Sequence, residues 1–322
     1  MPPHYLNQGK KCISVNKFLY NIFNMAVFIK RETLIRTICF MYFFVAINVL
    51  CSFLTTVLPL LGIILIIFLP LTSAMVEVTC KDRWFPIYAV ATIGLSIVVS
   101  FSSIDFTIFY IVPSIFTGYI FGLFCKRNLP SMFAIFFAAI IQTVLSFNFI
   151  PLLQLITGSN LIDVFVKILG ISDRFWFDTM ILLLFFAVSL IQVILSFIVV
   201  ENELKKFGFQ NECKRNEELI ADYSVVGAAV LTLALSFFYL TLCYLFVGIA
   251  YYFAVFIVMF QVKSVNKHCL IADSVCVLIG IILYAALNKF LQNGTDFALF
   301  AIIPTLISVV SISYSFLKKS EQ

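Results

Sequence analysis

Residues 38–76 read ICFMYFFVAINVLCSFLTTVLPLLGIILIIFLPLTSAMV, a run of 39 residues without a charged side chain. One membrane-spanning helix uses about 20 mostly apolar residues, so this run is nearly twice as long as a single crossing. Pro59 lies near its middle, and proline ends or kinks a helix because it has no N–H to donate. The run therefore predicts two membrane helices joined by a tight turn at Pro59.

A second uncharged run of the same length covers residues 224–262, and we expect it to fold back near Gly248. With both runs counted as hairpins, the chain has about ten spans. If each run is instead one long broken helix, the count falls to eight. The ten predicted spans lie near residues 38–58, 60–76, 85–103, 106–124, 131–150, 179–200, 223–243, 245–262, 270–288 and 297–317.

The composition excludes a soluble domain. Apolar residues make up 62% of the 322 positions and charged residues only 11%, against roughly a quarter in soluble domains. The predicted fold class is all-α, a polytopic bundle of membrane helices. Its segments are an N-terminal cytoplasmic segment 1–37, a six-helix membrane core 38–200, a cytoplasmic loop 201–222, C-terminal membrane helices 223–317 and a tail 318–322.

The distribution of cations sets the orientation, because Lys and Arg accumulate in cytoplasmic loops. In the ten-span layout, all but Lys167, Arg174 and Lys289 of the 21 Lys and Arg residues fall on the inner side. We therefore expect both termini in the cytoplasm and the protein in a cytoplasmic membrane, with membrane lipid as a partner. The apolar patch 18–29 is too short to span and predicts an interfacial helix; alternatively, translation starts at Met25.

Catalytic and cofactor-binding motifs are missing from the sequence. It carries no phosphate-binding loop, no zinc-protease motif and no nucleophile elbow, so we expect neither an enzyme nor a cofactor or metal. Glu77, Asp178 and Asp222 are expected at span ends. Asp273 alone lies within a predicted span, where it forms either a charge pair with Lys263, Lys267 or His268, or an ion site.

Amide side chains are the polar groups predicted near the middle of the membrane: Asn48, Gln142 and Gln192, with Asn148 nearer the outer face. Neutral amides donate and accept hydrogen bonds, so they suit a small uncharged polar solute. Asp105 and residues 151–178 would form the outer mouth of such a site. The alternative is that the amides only bond one helix to another.

Two further segments suggest contacts. Gly118 and Gly122 are four residues apart, a spacing that lets another helix approach closely, and so they predict a helix-packing seam. The mixed charges of loop 201–222 indicate either a solvated connector or a docking surface for a protein partner, and they do not favour nucleic acid.

The segments Leu69-Pro-Leu-Thr, Lys81-Asp-Arg-Trp, Val112-Pro-Ser-Ile-Phe-Thr-Gly-Tyr-Ile-Phe-Gly and Cys125-Lys-Arg-Asn resemble the YybS-like family of bacterial membrane proteins. The likeness covers roughly residues 38–200. This family is distantly similar to the S components of energy-coupling-factor vitamin transporters. The resemblance implies a six-helix core that binds a small molecule near the outer face and has no energy source of its own.

The sequence therefore predicts an S-component-like membrane protein that binds a small polar solute. Two alternatives stay open. One is a scaffold of the cell envelope that recruits a partner through residues 201–222. The other is an ion-coupled permease that depends on Asp273.

Overall fold

The structure is a computed structural model, and it describes residues 34–101, 104, 107–158, 174–209, 217–236, 239–263, 267–287 and 300–320. Over these residues the chain is helical and contains no β-strand. Its ten α-helices are α1 Leu34–Val57, α2 Pro59–Thr79, α3 Phe85–Val99, α4 Val112–Lys126, α5 Ser131–Thr157, α6 Arg174–Lys206, α7 Glu217–Leu235, α8 Leu240–Lys263, α9 Lys267–Leu287 and α10 Ile302–Ser320. The predicted interfacial helix 18–29 and Asp105 lie outside the described residues.

Six segments are long and apolar enough to cross a membrane, judged by length and composition. They are Leu34–Val57, Asp82–Val99, Thr107–Lys126, Ser131–Leu152, Ile181–Lys206 and Thr241–Val262. Bulky apolar side chains also point outward, and Val90, Val98 and Leu155 are each more than 70% exposed. A helical fold that carries its apolar side chains on the outside suits a multi-pass membrane protein.

The turn expected at Pro59 is confirmed. Helix α1 ends at Val57, and Leu58 leaves the helical conformation with φ −133° and ψ 82°. Pro59 then occupies the first position of α2, where its missing N–H costs nothing because that group has no partner inside a helix anyway. A local chemical property of one residue thus fixes this hairpin.

The turn expected near Gly248 is wrong. The break between α7 and α8 falls at residues 236–239, and Gly248 lies inside α8. A methyl group at Gly248 would come 2.6 Å from Cδ1 of Leu183 on α6. Glycine is present here because a neighbouring side chain occupies the space, whereas the chain turns at a segment with no glycine or proline.

The chain divides into two units. Unit 1 contains residues 1–127 and 195–211, and unit 2 contains 128–194 and 212–322. Helices α1–α4 belong to unit 1 and α7–α10 to unit 2, while α6 contributes its later part to unit 1 and its earlier part to unit 2. The membrane core predicted at 38–200 therefore includes parts of both units.

Candidate functional site

The interior face of α3 is polar. After Phe85, the buried residues of this helix are Tyr88, Thr92 and Ser96, and Ser100 follows directly after it. These side chains are four residues apart, so they form one stripe along the helix. The opposite faces carry exposed apolar side chains such as Val90 and Val98. Helix α3 therefore presents hydroxyl groups to the inside of unit 1.

Tyr88 is the centre of a buried hydrogen-bond cluster that joins three helices. The amide of Asn48 on α1 donates to Tyr88 Oη over 2.7 Å, and Thr72 Oγ1 on α2 donates to Asn48 Oδ1 over 3.0 Å. Tyr88 Oη in turn donates to Thr72 Oγ1 over 3.1 Å, and Ser73 Oγ lies 3.3 Å from Tyr88 Oη. Asn48, Thr72, Ser73 and Tyr88 together form the Tyr88 cluster.

The polar interior continues from the Tyr88 cluster towards the end of α1. Ser52 follows Asn48 by one helical turn, and Ser96 follows Tyr88 by about two turns. Helix α4 runs parallel to α2, because Gly118 faces Pro70 and Gly122 faces Ala74. Ser114, one turn before Gly118, lies about one turn beyond the Tyr88 cluster, as Ser52 does, and Ser96 lies about one turn further along.

These three hydroxyl groups have no hydrogen-bond partner. Ser52, Ser96 and Ser114 are each at most 2% exposed, and none of their oxygen atoms lies at hydrogen-bond distance from another described polar group. A buried, unpaired hydroxyl costs about 1–3 kcal/mol. Serine in a helix commonly avoids this cost by bonding to the carbonyl four residues earlier, as Ser224 does with Ile220 O at 2.8 Å. We call Ser52, Ser96 and Ser114 the serine layer.

The far end of the interior is closed by a further hydroxyl pair. Ser100 Oγ lies 2.5 Å from Thr107 Oγ1, and both residues are fully buried. Thr107 opens a single π-helical turn, Thr107–Ile111, that leads into α4. Such turns occur frequently at functional sites in membrane and soluble helices. The serine layer thus lies between the Tyr88 cluster and this pair.

The amides that the sequence singled out have separate surroundings. Asn48 belongs to the Tyr88 cluster in unit 1. In unit 2, Gln142 Nε2 on α5 donates to Gln192 Oε1 on α6 over 2.6 Å. Asn148 is exposed and donates to Val144 O of its own helix over 2.7 Å. Asp105 lies outside the described residues, as do residues 159–173 of the predicted outer mouth.

The bond between Gln142 and Gln192 should contribute a measurable coupling energy. Interhelical hydrogen bonds in membranes contribute about 0.6 kcal/mol on average, with a maximum near 1.7 kcal/mol. We expect this range from a double-mutant cycle on Gln142→Leu and Gln192→Leu, read out as the free energy of unfolding in detergent. A cycle pairing Gln192→Leu with Asn148→Leu serves as the control and should give no coupling. Additive effects of the two glutamine changes would contradict the pairing.

Gly118 and Gly122 lie where α4 meets α2. A methyl group on Gly118 would come 2.2 Å from Pro70 O and 2.6 Å from Ser73 Cβ, and one on Gly122 would come 2.7 Å from Glu77 Cβ. The two backbones approach this closely because neither glycine has a side chain. This contact places Ser73, and through it the Tyr88 cluster, against α4.

The end of unit 1 opposite to the serine layer carries an ion cluster. Lys126 Nζ lies 3.5 Å from Glu77 Oε1 and also pairs with the carboxylate of Asp82. The same ammonium group donates to Glu77 O at 3.3 Å and to Cys80 O at 3.4 Å. A cation is stabilised at this position because the C-terminal end of α2 is the negative end of its helix dipole. Lys126 therefore joins the C-terminal ends of α2 and α4.

Glu77 and Asp222 were expected at span ends, and each lies close to one end of its helix. Helix α2 continues past Glu77 to Thr79, and α7 begins five residues before Asp222. Both carboxylates are only 1% exposed. A buried carboxylate is tolerable where it has a polar partner, as Glu77 has in Lys126.

Sequence reasoning missed the serine layer. The signal was present in the spacing of Tyr88, Thr92, Ser96 and Ser100, and in Ser52 four residues after Asn48. Small hydroxyl residues are common in membrane helices, so the spacing alone does not separate a polar interior from ordinary packing. The burial of Ser52, Ser96 and Ser114 without hydrogen-bond partners among the described residues is what distinguishes them.

In comparisons with family models, curated proteins and solved structures, nothing matched this chain. The resemblance to the YybS-like family therefore stays a prediction from the residues.

Proposed function

We propose that the protein binds a small uncharged polar solute in the serine layer of unit 1. The single observation that carries the proposal is the burial of three unpaired hydroxyl groups, those of Ser52, Ser96 and Ser114. A solute with hydroxyl or amide groups would remove the cost of leaving these oxygens unpaired. The resemblance to S components supports the same class of function, a non-enzymatic solute-binding protein.

The neighbouring groups support an uncharged solute. No charged side chain is described in the Tyr88 cluster or in the serine layer, which contain only hydroxyl and amide groups. Neutral donors and acceptors of the protein can satisfy the hydrogen-bonding groups of a solute, but they cannot neutralise a full charge on it. An ionic solute would therefore be strongly disfavoured at this site.

The membrane setting belongs to the same proposal. We infer that all ten helices cross a bacterial cytoplasmic membrane and that both termini lie in the cytoplasm. The inference is supported by the positive-inside pattern and by four shorter apolar helices, Ile64–Thr79, Ile220–Leu235, Leu270–Ala286 and Ile302–Ser313. In that orientation α1 ends at the outer side, so the serine layer lies in the outer half of the membrane.

The experiment measures binding of neutral solutes to the purified protein. Native mass spectrometry of protein extracted from its own membrane would detect a retained solute. Thermal-shift titrations would use pyridoxine, riboflavin and uncharged nucleosides as probes. We expect the triple variant Ser52→Ala, Ser96→Ala, Ser114→Ala to bind at least tenfold more weakly than the wild type. The variant should not be less stable, because alanine removes hydroxyl groups that had no partner.

The matched control is Ser224→Ala in combination with Ser274→Ala. Both of these serines bond to a carbonyl of their own helix, so their removal should leave solute binding unchanged. If the triple variant retains the solute with wild-type affinity, the serine layer is not the site. If neither retained solute nor any thermal shift is found for the wild type, the proposed function fails.

A further inference from the structure

Two buried carboxylates lie at one end of the four helices α7–α10 in unit 2. Asp222 on α7 is 1% exposed and Asp273 on α9 is 4% exposed. Each lies within about two turns of the beginning of its helix. Helices α7 and α8 form a hairpin that turns at residues 236–239, so the beginning of α7 and the end of α8 lie at the same end.

The packing of α9 on α10 brings the two carboxylates to one level. Gly280 on α9 lies against Ile303 on α10, and a methyl group there would come 2.6 Å from Ile303 Cγ1. Asp273 lies seven residues before Gly280, and Ser311 lies eight residues after Ile303. Helices α9 and α10 are antiparallel, so moving backward along α9 and forward along α10 leads towards the same end of the pair. Both residues lie about 10–12 Å from the Gly280–Ile303 contact, so Asp273 and Ser311 are at the same level.

Ser311 is itself bonded to the other carboxylate. Its Oγ donates to Asp222 Oδ2 over 3.0 Å, and Ser311 is 3% exposed. Ser308, one turn earlier on the same helix, is fully buried. Helix α10 therefore places hydroxyl groups at the level of both carboxylates.

Asp273 has no counter-charge among the described side chains. Neither of its carboxylate oxygens has a hydrogen-bond partner among the described residues, and none of the described ion pairs includes it. The amide of Gln261 on α8 is close enough to favour the charged form of this carboxylate. The neighbouring residues Ile271, Ser274 and Val275 are exposed, so the rotation of α9 specifically turns Asp273 inward.

Few of the described residues at the level of Asp273 are charged. Asp222 on α7 is a carboxylate at this level, and Gln261 on α8 and Ser308 and Ser311 on α10 are neutral polar groups. The side chains of Lys263, Lys267 and His268 lie outside the described ones. A carboxylate that is buried in a helix bundle without a counter-charge is strongly disfavoured, and such residues commonly mark ion sites in membrane proteins.

We propose that Asp273, together with Asp222, Gln261 and Ser311, binds a monovalent metal cation of the sodium type. All the candidate ligand atoms are carboxylate, amide or hydroxyl oxygens, which suit hard cations. Asp222 already accepts a hydrogen bond from Ser311, whereas the described polar group that favours the charge of Asp273 is the neutral amide of Gln261. One positive charge would therefore neutralise the uncompensated carboxylate. This site is separate from the serine layer and does not depend on the solute proposed there.

The test uses the full chain in nanodiscs prepared without metal cations, with choline chloride as the background salt. Unfolding temperature would be measured while sodium replaces choline at constant ionic strength and constant pH. We expect a saturable rise in unfolding temperature with sodium. The variant Asp273→Asn keeps the shape of the side chain and removes its charge, and it should raise the half-saturating sodium concentration at least tenfold. Direct binding of radioactive sodium provides a second measurement that does not depend on stability.

The control is Glu203→Gln, whose carboxylate pairs with Lys206 at the surface of α6, and it should leave the sodium response unchanged. Ser311→Ala gives a second variant if Asp273→Asn does not fold, and it should weaken the response severalfold. Identical curves in sodium and choline would overturn the proposal. A full sodium response in Asp273→Asn would also overturn it, as would a response to calcium but not to sodium. Stability that depends on pH alone would overturn it too, because a proton rather than sodium would then neutralise Asp273.

Discussion

Replacing Gly118 with alanine will lower the unfolding temperature, and replacing it with leucine will prevent folded protein from accumulating. The added Cβ would lie 2.2 Å from the backbone oxygen of Pro70, and backbone cannot move aside as the end of a flexible side chain can. Overpacking of this kind costs about 1–3 kcal/mol and sometimes more. Because α2 and α4 pack closely against each other in unit 1, we expect the loss of stability to affect the whole unit.

The measurement is the unfolding temperature of detergent-purified protein, together with the monodisperse fraction in size-exclusion chromatography. For the alanine variant we expect a decrease of about 4–10 °C. Gly94→Ala is the matched control on α3, because no atom lies within 4 Å of the added methyl group. Alanine is a better helix former than glycine, so Gly94→Ala should leave stability equal or slightly higher. Equal effects at Gly118 and Gly94 would contradict the close approach of α4 to α2.

Replacing Lys126 with methionine should also destabilise the protein strongly. The change removes the charge paired with Glu77, whose side chain is fully buried, and it removes the donor to Glu77 O and Cys80 O. Breaking a buried pair on one side costs about 3–5 kcal/mol, because the other charge is left without compensation. The partial exposure of Lys126 itself, 34% of its side chain, places the expected loss near the lower end of that range.

A second substitution separates the charge effect from packing. Glu77→Gln in the Lys126→Met background removes the stranded carboxylate, so it should restore much of the lost stability. Lys205→Met is the control, since Lys205 pairs with Glu201 on the exposed face of α6 at 2.8 Å and such surface pairs contribute about 0.3–0.5 kcal/mol. Unfolding in detergent by chemical denaturant gives all four values. Failure of Glu77→Gln to rescue would show that Lys126 acts through packing.

The sequence predicted those parts of the fold that depend on local chemistry. Pro59 ends α1 because its ring and missing N–H act at that position whatever surrounds it. No proline or glycine lies between the end of α7 at Leu235 and the start of α8 at Leu240, so the sequence does not mark this break, and Gly248 inside α8 suggests one that the structure does not contain. That glycine instead accommodates Leu183 of another helix, which spacing along the chain cannot reveal.

For the candidate sites too, the sequence predicted some features and only the packing of the helices decided the others. The sequence identified Asn48, Gln142 and Gln192 as amides near the middle of membrane spans, because amides are rare among so many apolar residues. It could not pair Gln142 with Gln192 or Asn48 with Tyr88, since each pair joins helices whose rotation depends on packing. The rotation of α9 likewise decides that Asp273 faces inward while Ser274 beside it faces outward.

By itself, the sequence determined the helical class, the apolar exterior and the hairpin at Pro59, because length, apolar content and proline chemistry act residue by residue. Only the tertiary structure decided which of the described hydroxyl groups are buried without partners and which described carboxylate is buried without a counter-charge among the described side chains. Those properties depend on distances between different helices, and such distances are fixed by close contacts such as that of Gly118 with Pro70.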